Sequence, residues 1–215
     1  MTWRELIVST RGRWAILLCI ATVTMMVVYM PIYYLEVIGP KPGILLNDPV
    51  LNFFTPFDWS TAVFLILTIA VIQTLISYSG SATIFTAAMM TFSVVNILRM
   101  FTMYAITLEP PADMILLIDP ISALLVYPDR GFAKDLFFSG HVSSMVIMVL
   151  VERNRFWYLA KIGGTGLMAL FLAWQHVHYA VDIIAAPIVT YFVFLGVKRY
   201  LGGIPVKKLS ALNDI

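Results

Sequence analysis

Three histidines and one carboxylate carry most of the chemistry this chain can do. His141, His176 and His178 all fall in the last third of the 215 residues. Asp182 follows His178 by four residues, a spacing that puts both on one face of a helix, within hydrogen-bonding reach. Such a carboxylate holds one imidazole nitrogen and leaves the other as a nucleophile, the orienting logic of a catalytic triad. An imidazole such as His141 can pass a proton to a leaving alkoxide near neutral pH. Ser139 and Gly140 before it suit the start of a helix, whose free N–H groups bind phosphate. A nucleophile, an acid and an anion cradle together spell phosphoryl chemistry. The plainer readings are helix-packing hydrogen bonds for the His–Asp pair and a structural, interfacial role for His176, which points away from His178 on a helix.

The elements that position these groups follow from composition. Hydrophobic residues make up 60% and charged residues 12% of the chain, and the mean hydropathy is +0.90. A soluble chain carries roughly a quarter charged residues, so this is an integral membrane protein; disorder, coiled coil and a secreted disulfide scaffold are excluded. The net charge of +2 is small and its basic residues are scattered, which argues against a nucleic-acid partner. Cys19, the single cysteine, reads as a small core residue.

A membrane helix needs about 20 mostly apolar residues. Six runs qualify, at about 14–38, 59–79, 82–106, 136–152, 156–175 and 178–201. The expected fold is therefore an all-α, six-transmembrane-helix bundle forming one catalytic domain over residues 1–215. The first run is too long for a cleaved signal peptide and reads as a retained helix. Gly80 marks a tight hairpin. The stretch 107–138 is irregular, holding Pro110, Pro111, Pro120 and Pro128 with Asp113, Asp119 and Asp129. Within it, Met114–Val126 is short and apolar: it either lies on the membrane surface at a lipid entrance or packs on the bundle as an ordinary loop. Gly163, Gly164 and Gly166 read as points of close helix approach.

Basic residues orient the bundle by the positive-inside rule. Arg4, Arg11, Arg13, Arg153, Arg155, Lys198, Arg199, Lys207 and Lys208 lie on one side, and only Lys41, Arg130 and Lys134 on the other. Both termini are thus expected in the cytoplasm, with Lys161 snorkelling to that interface. All three histidines and the 107–138 loop face the other side: outside a plasma (inner) membrane if the chain is bacterial, or a Golgi or endoplasmic-reticulum lumen in a eukaryote. Asp182 then sits one turn inside a membrane helix, at a cost of ~2.5–3.5 kcal/mol on insertion scales, which makes it a functional residue by default.

Three stretches resemble one family. Asp135-Leu136-Phe137-Phe138-Ser139-Gly140-His141 is similar to the D-x-x-x-S-G-H motif of sphingomyelin synthases. His178-Tyr179-Ala180-Val181-Asp182-Ile183-Ile184 is similar to their H-Y-x-x-D-V-I segment. Arg99-Met100-Phe101-Thr102-Met103-Tyr104, with Leu108 and Pro111, resembles R-x-x-T-M-Y…L-P-x-P. All three keep the family's order across residues 99–184. The chain thus resembles the sphingomyelin-synthase-like branch of the type 2 phosphatidic acid phosphatase (PAP2) superfamily.

The resemblance implies a two-step reaction without metal or cofactor. His178, oriented by Asp182, attacks a phospholipid headgroup and releases diacylglycerol; His141 protonates that leaving group and then deprotonates an incoming lipid alcohol, ceramide in the family. It also assigns Asp135, Ser139 and Gly140 to substrate binding. The partners implied are a phospholipid headgroup donor and a lipid alcohol acceptor in the bilayer.

The chain departs from the pattern at several points. No K-x6-R-P occurs, and Leu172 stands where the phosphatase branch has an arginine before its nucleophilic histidine. Glu109 replaces a proline, Pro187 interrupts the last helix, and the family's longer soluble extensions are missing. Arg99 is either an ion-pair partner for Glu36, Asp182 or Glu109, or the cation that takes the phosphate oxygens; the missing arginine favours the second. Lys134 shares that role or is solvated and mobile. Tyr104 contacts the headgroup or anchors at the interface. The alternative activity is a lipid phosphatase or phospholipase C-type hydrolase at the same site. A non-catalytic scaffold or transporter is disfavoured by the intact His141, His178 and Asp182 set.

Overall fold

The computed structural model describes residues 3–117 and 133–202. Every regular element among them is helical, and the one β-type pairing is an isolated parallel bridge between Ile44 and Leu108. A short α1 (Trp3–Val8) leads into α2 (Thr10–Thr24), whose first turn is capped by the Ser9 side chain accepting from Gly12 N–H. The helical backbone continues through a wide π turn (Met25–Tyr29), α3 (Met30–Tyr33) and a second π turn (Tyr34–Ile38). The first expected helix therefore starts four residues early, at Thr10 rather than Trp14.

Four helices are long and apolar enough to cross a membrane: α4 (Ser60–Tyr78), α5 (Ala82–Ala105) and two in the second half of the chain. Those two are α7 (Arg155–Trp174) and α8 (Ala180–Gly202), which flank the helix turn that carries His176 and His178. All four lie close to the expected boundaries, because the apolar runs set their lengths, and nearby side chains fix the starts of two of them. Asp58 Oδ1 accepts from Ser60 N–H (2.9 Å) at the start of α4. The Ser60 hydroxyl and its N–H hold the Asp58 carboxyl below its ordinary range. Asn154 Oδ1 accepts from Phe156 and Trp157 N–H at the start of α7. α8 runs unbroken through Pro187.

Between them lies α6 (Gly140–Leu150), only 11 residues long. The expected helix over 136–152 is thus trimmed at both ends. Its first residues stay outside the helix, where their carbonyls are taken by other partners: Phe137 O accepts from Thr102 Oγ1 and Phe138 O from Arg99 Nε, both at 2.9 Å. Ser139 then caps α6, accepting from Val142 N–H at 3.4 Å. At the other end the Glu152 carboxylate takes the Arg153 and Asn154 N–H groups, which stops the helix.

α6 packs against α7 and α8, and α5 against α2 and α8. The largest core between them gathers Val63, Val95, Phe138, Met145, Met168, Leu172 and Ala186. Leu172 is fully buried there. Large apolar side chains such as Ile76, Phe101 and Phe156 cover the outside of the bundle, a surface suited to lipid and too continuous for water. Of the three close-approach glycines only Gly164 behaves as expected: an added Cβ would meet Ile66 and Met145 at 3.3 Å, whereas Gly163 and Gly166 face open space.

One expectation is overturned. Lys161 does not snorkel; it is 3% exposed and forms a 2.6 Å ion pair with Glu152, itself buried. Glu152, at the turn between α6 and α7, takes the ammonium inside the bundle instead. Of the apolar stretch expected at a lipid entrance, residues 118–126 lie outside the described residues, as do Asp119, Pro120, Pro128, Asp129, Arg130, Lys207 and Lys208. The part that is described is pinned to the bundle: Ile115 N–H donates to the Gln175 carbonyl at 3.2 Å.

Candidate active site

The histidine pair is built where α7 hands over to α8. After Gln175 the chain reverses through His176, whose φ of 57° lies in the left-handed region. His176 N–H donates to Ala173 O and Val177 N–H to Leu172 O, the two bonds of a Schellman ending. The His176 ring contacts the Leu51 carbonyl at 3.1 Å. That gives His176 a structural place, in the position glycine usually takes.

His178 follows, 2% exposed, with Asp182 at 0%. Asp182 Oδ2 accepts from Tyr179 N–H (3.2 Å), so the carboxylate closes the first turn of α8 from inside, half of a capping box. The same oxygen lies 3.4 Å from His178 Nδ1. This is a close approach without hydrogen-bond alignment: Nδ1 and Asp182 Oδ1 have no hydrogen-bond partner among the described residues. Buried polar atoms of this kind are uncommon and call for an explanation. From outside the helix, Asp48 Oδ2 accepts Ala180 N–H at 2.6 Å. Nothing in the local sequence marks Asp48 for this; it lies 132 residues away.

His141 occupies the first turn of α6, and Ser139 N–H donates to the Asp182 carbonyl at 3.2 Å, so the starts of α6 and α8 abut. On the other side of the 135–140 segment stands Arg99, 6% exposed. Its Nε donates to Phe138 O, its Nη1 to Asn96 Oδ1 (3.4 Å) and its Nη2 to Asp135 Oδ1 (2.5 Å). The guanidinium lies flat on Gly140, where an added Cβ would come within 2.3 Å of Nη1. Arg99 therefore pairs with Asp135, and not with Glu36, Asp182 or Glu109.

Arg99, Asp135, Gly140 and His141 form the polar end of a cavity of about 620 Å³ whose remaining wall is mostly apolar, from α4, α5 and α6 with Met26. His141 also stands edge-on to Phe64, with ring centroids 5.6 Å apart. His178 and Asp182 lie off this wall, behind the 135–139 segment that is bonded to Arg99 on one side and to Asp182 on the other.

Two expected contributors sit elsewhere. Lys134 Nζ donates to Glu109 Oε1 (2.8 Å) and to the Lys41 carbonyl (2.9 Å), so it clasps the loops and is not a solvated arm. The Lys134 bond and a second from Gly43 N–H hold the Glu109 carboxyl below its ordinary range. Tyr104 is exposed, with the Lys41 ammonium 4.1 Å above its ring and bonded to its carbonyl. Glu109 and Tyr104 thus belong to a loop clasp beside the site. Among the described residues no group of three or more His, Cys, Asp or Glu side chains is placed to hold a metal ion.

The fold and site define a multi-pass helical membrane protein with a charged, histidine-lined recess in its bundle. No family model matches the chain, and no curated protein matches its sequence.

Proposed function

We propose that this protein is a membrane lipid phosphotransferase of the sphingomyelin-synthase type within the PAP2 superfamily. It moves a phospho-headgroup from a glycerophospholipid to ceramide or a similar lipid alcohol through a phosphohistidine. The observation that carries the reading is the cavity, which joins a cation and a histidine at one end to a long apolar wall. That polarity suits a molecule with an anionic head and hydrocarbon tails.

In this reading Arg99 takes the phosphoryl oxygens, its charge oriented beforehand by Asp135, Asn96 and the Phe138 carbonyl. His178 Nε2 attacks phosphorus while Asp182 stabilises the charge on the ring through Nδ1, and the diacylglycerol oxygen leaves with a proton from His141. His141 then takes the proton of the acceptor hydroxyl, whose oxygen displaces His178 from phosphorus. Reaching His178 requires the 135–139 segment to shift, which makes its bonds to Arg99 and Asp182 part of substrate entry. The same reading takes the Thr10–Ile38 run and α6 as the remaining two of six spans, with both termini cytoplasmic and the site on the extracytoplasmic face. Arg99 lies about 9 Å inside the end of α5, a depth at which a lipid headgroup meets the site from the membrane.

The test is a panel of phospholipids in mixed micelles, with and without ceramide, with every lipid product followed by mass spectrometry. A phosphosphingolipid that forms with the native chain and vanishes with His178→Ala is the expected result. Diacylglycerol release that ignores ceramide would reassign the protein as a hydrolase. Products identical to those of the variant would remove the catalytic reading for these lipids.

A further inference from the structure

The far end of the cavity takes no part in the reaction proposed above. There the wall is formed by Thr74 and Tyr78 of α4, Ile84 of α5 and Met148 of α6. Three of these are fixed to one buried ion pair. The Tyr78 hydroxyl donates to Glu152 Oε1; Lys161 Nζ donates to Thr74 Oγ1 (2.8 Å) and to the Met148 carbonyl (3.4 Å) while pairing with Glu152 Oε2 (2.6 Å). A hydrocarbon cannot push into this cluster without separating desolvated charges, which costs several kcal/mol. An apolar wall alone would yield to a longer chain by moving side chains.

The distance between the two ends is readable along α5. Arg99 and Ile84 are 15 residues apart in one helix, about 22 Å at 1.5 Å per residue. A staggered chain with carbon–carbon bonds of ~1.5 Å at tetrahedral angles rises about 1.25 Å per carbon, so about 18 carbons fill that length.

We propose that the Glu152–Lys161–Tyr78–Thr74 cluster is the floor of a tail-length gauge, and that the cavity takes one extended hydrocarbon chain of up to about 18 carbons from a phosphate-headed lipid seated at Arg99. This rests on the reading above only for where the phosphate sits; it needs no headgroup transfer.

The experiment is competitive binding of n-alkyl phosphates of about 12 to 24 carbons, bracketing that limit, to the full chain in detergent micelles, read by native mass spectrometry. The micelle takes up each added methylene about as well as the cavity, so chains up to the limit bind alike. Chains of about 22 carbons and more are expected to bind at least about tenfold more weakly. Tyr78→Ala opens the floor and is expected to abolish that drop. Ala88→Phe, one turn above Ile84 on the same wall, shortens the gauge by about 6 Å and lowers the limit to about 13 carbons; it leaves the ion pair intact and tests the idea if Tyr78→Ala does not fold. Arg99→Gln is expected to weaken all lengths equally. Affinity that is flat across the series, a limit unmoved by Ala88→Phe, or no binding of any alkyl phosphate overturns the gauge. A movable limit in a protein that transfers no headgroup keeps the gauge and removes the phosphotransferase; transfer that ignores tail length does the reverse.

Discussion

The two ends of the bundle both hide charge among apolar helices, and they are finished differently. In the Glu152–Lys161 pair every charged donor and acceptor is used. Oε1 takes the Tyr78 hydroxyl and the Arg153 and Asn154 N–H groups, and Oε2 takes Lys161, whose remaining protons go to Thr74 and Met148. At the histidine end, Asp182 Oδ1 and His178 Nδ1 are as deeply buried yet have no hydrogen-bond partner among the described residues. Burying a charge costs several kcal/mol, and full satisfaction recovers much of it. The Glu152–Lys161 pair is thus fully satisfied, and the His178–Asp182 pair is not. In the proposed function the saturated pair is the structural one and the incompletely bonded pair the reactive one.

That contrast breaks most sharply at Asp182. Asp182→Asn keeps an oxygen for Tyr179 N–H, so the unfolding midpoint in detergent should hold, while headgroup transfer falls about 10³- to 10⁴-fold, the scale of losing a triad's orienting carboxylate. A variant that loses stability and keeps transfer would reverse the assignment of the two ends. Lys161→Met is the mirror experiment. It strands a buried carboxylate, so unfolding by denaturing detergent should show a loss of about 3–5 kcal/mol, most of it regained on adding Glu152→Gln.

A smaller effect is expected from Gly140→Ala. Its methyl would lie 2.5 Å from Arg99 Cζ and lift the guanidinium from its seat. At about 1–3 kcal/mol for overpacking, alkyl phosphate binding should weaken roughly ten- to a hundredfold with helical content unchanged in circular dichroism. The smallest effect belongs to the loop clasp. Lys134 and Gly43 lower the Glu109 pKa, so the clasp contributes fully above the unfolded value of about 4.3 and is lost as pH falls through the lower, folded value. Hydrogen exchange at Gly43 should accelerate only in acid below about pH 4, and Glu109→Gln should remove that dependence.

Much of the framework was legible from residues alone. The four long spans depend on apolar runs, helped in two of them by side chains within three residues, Asp58 and Asn154. The His178–Asp182 spacing put the pair on one helix face; the two groups do approach to 3.4 Å, but His178 precedes α8 and the expected hydrogen bond does not form. The start of α6 was less legible, because the carbonyls of 137 and 138 are claimed by α5, more than 30 residues away. For Arg99 the sequence offered Glu36, Asp182 and Glu109, and the fold chose Asp135, which a motif had singled out for substrate and not for pairing. Asp48 gave no signal at all.

By itself, then, the sequence determined where helices run, which residues carry charge into them, and that each such charge needs a partner, since desolvation is a property of the group and its depth. Only the tertiary structure decided which partner arrives. Lys161 meets Glu152 across a turn, Arg99 meets Asp135 across 36 residues, and Asp48 meets Ala180 across 132. The reason is that a hydrogen bond acts over about 3 Å, and which atoms come that close is set by how the whole bundle packs.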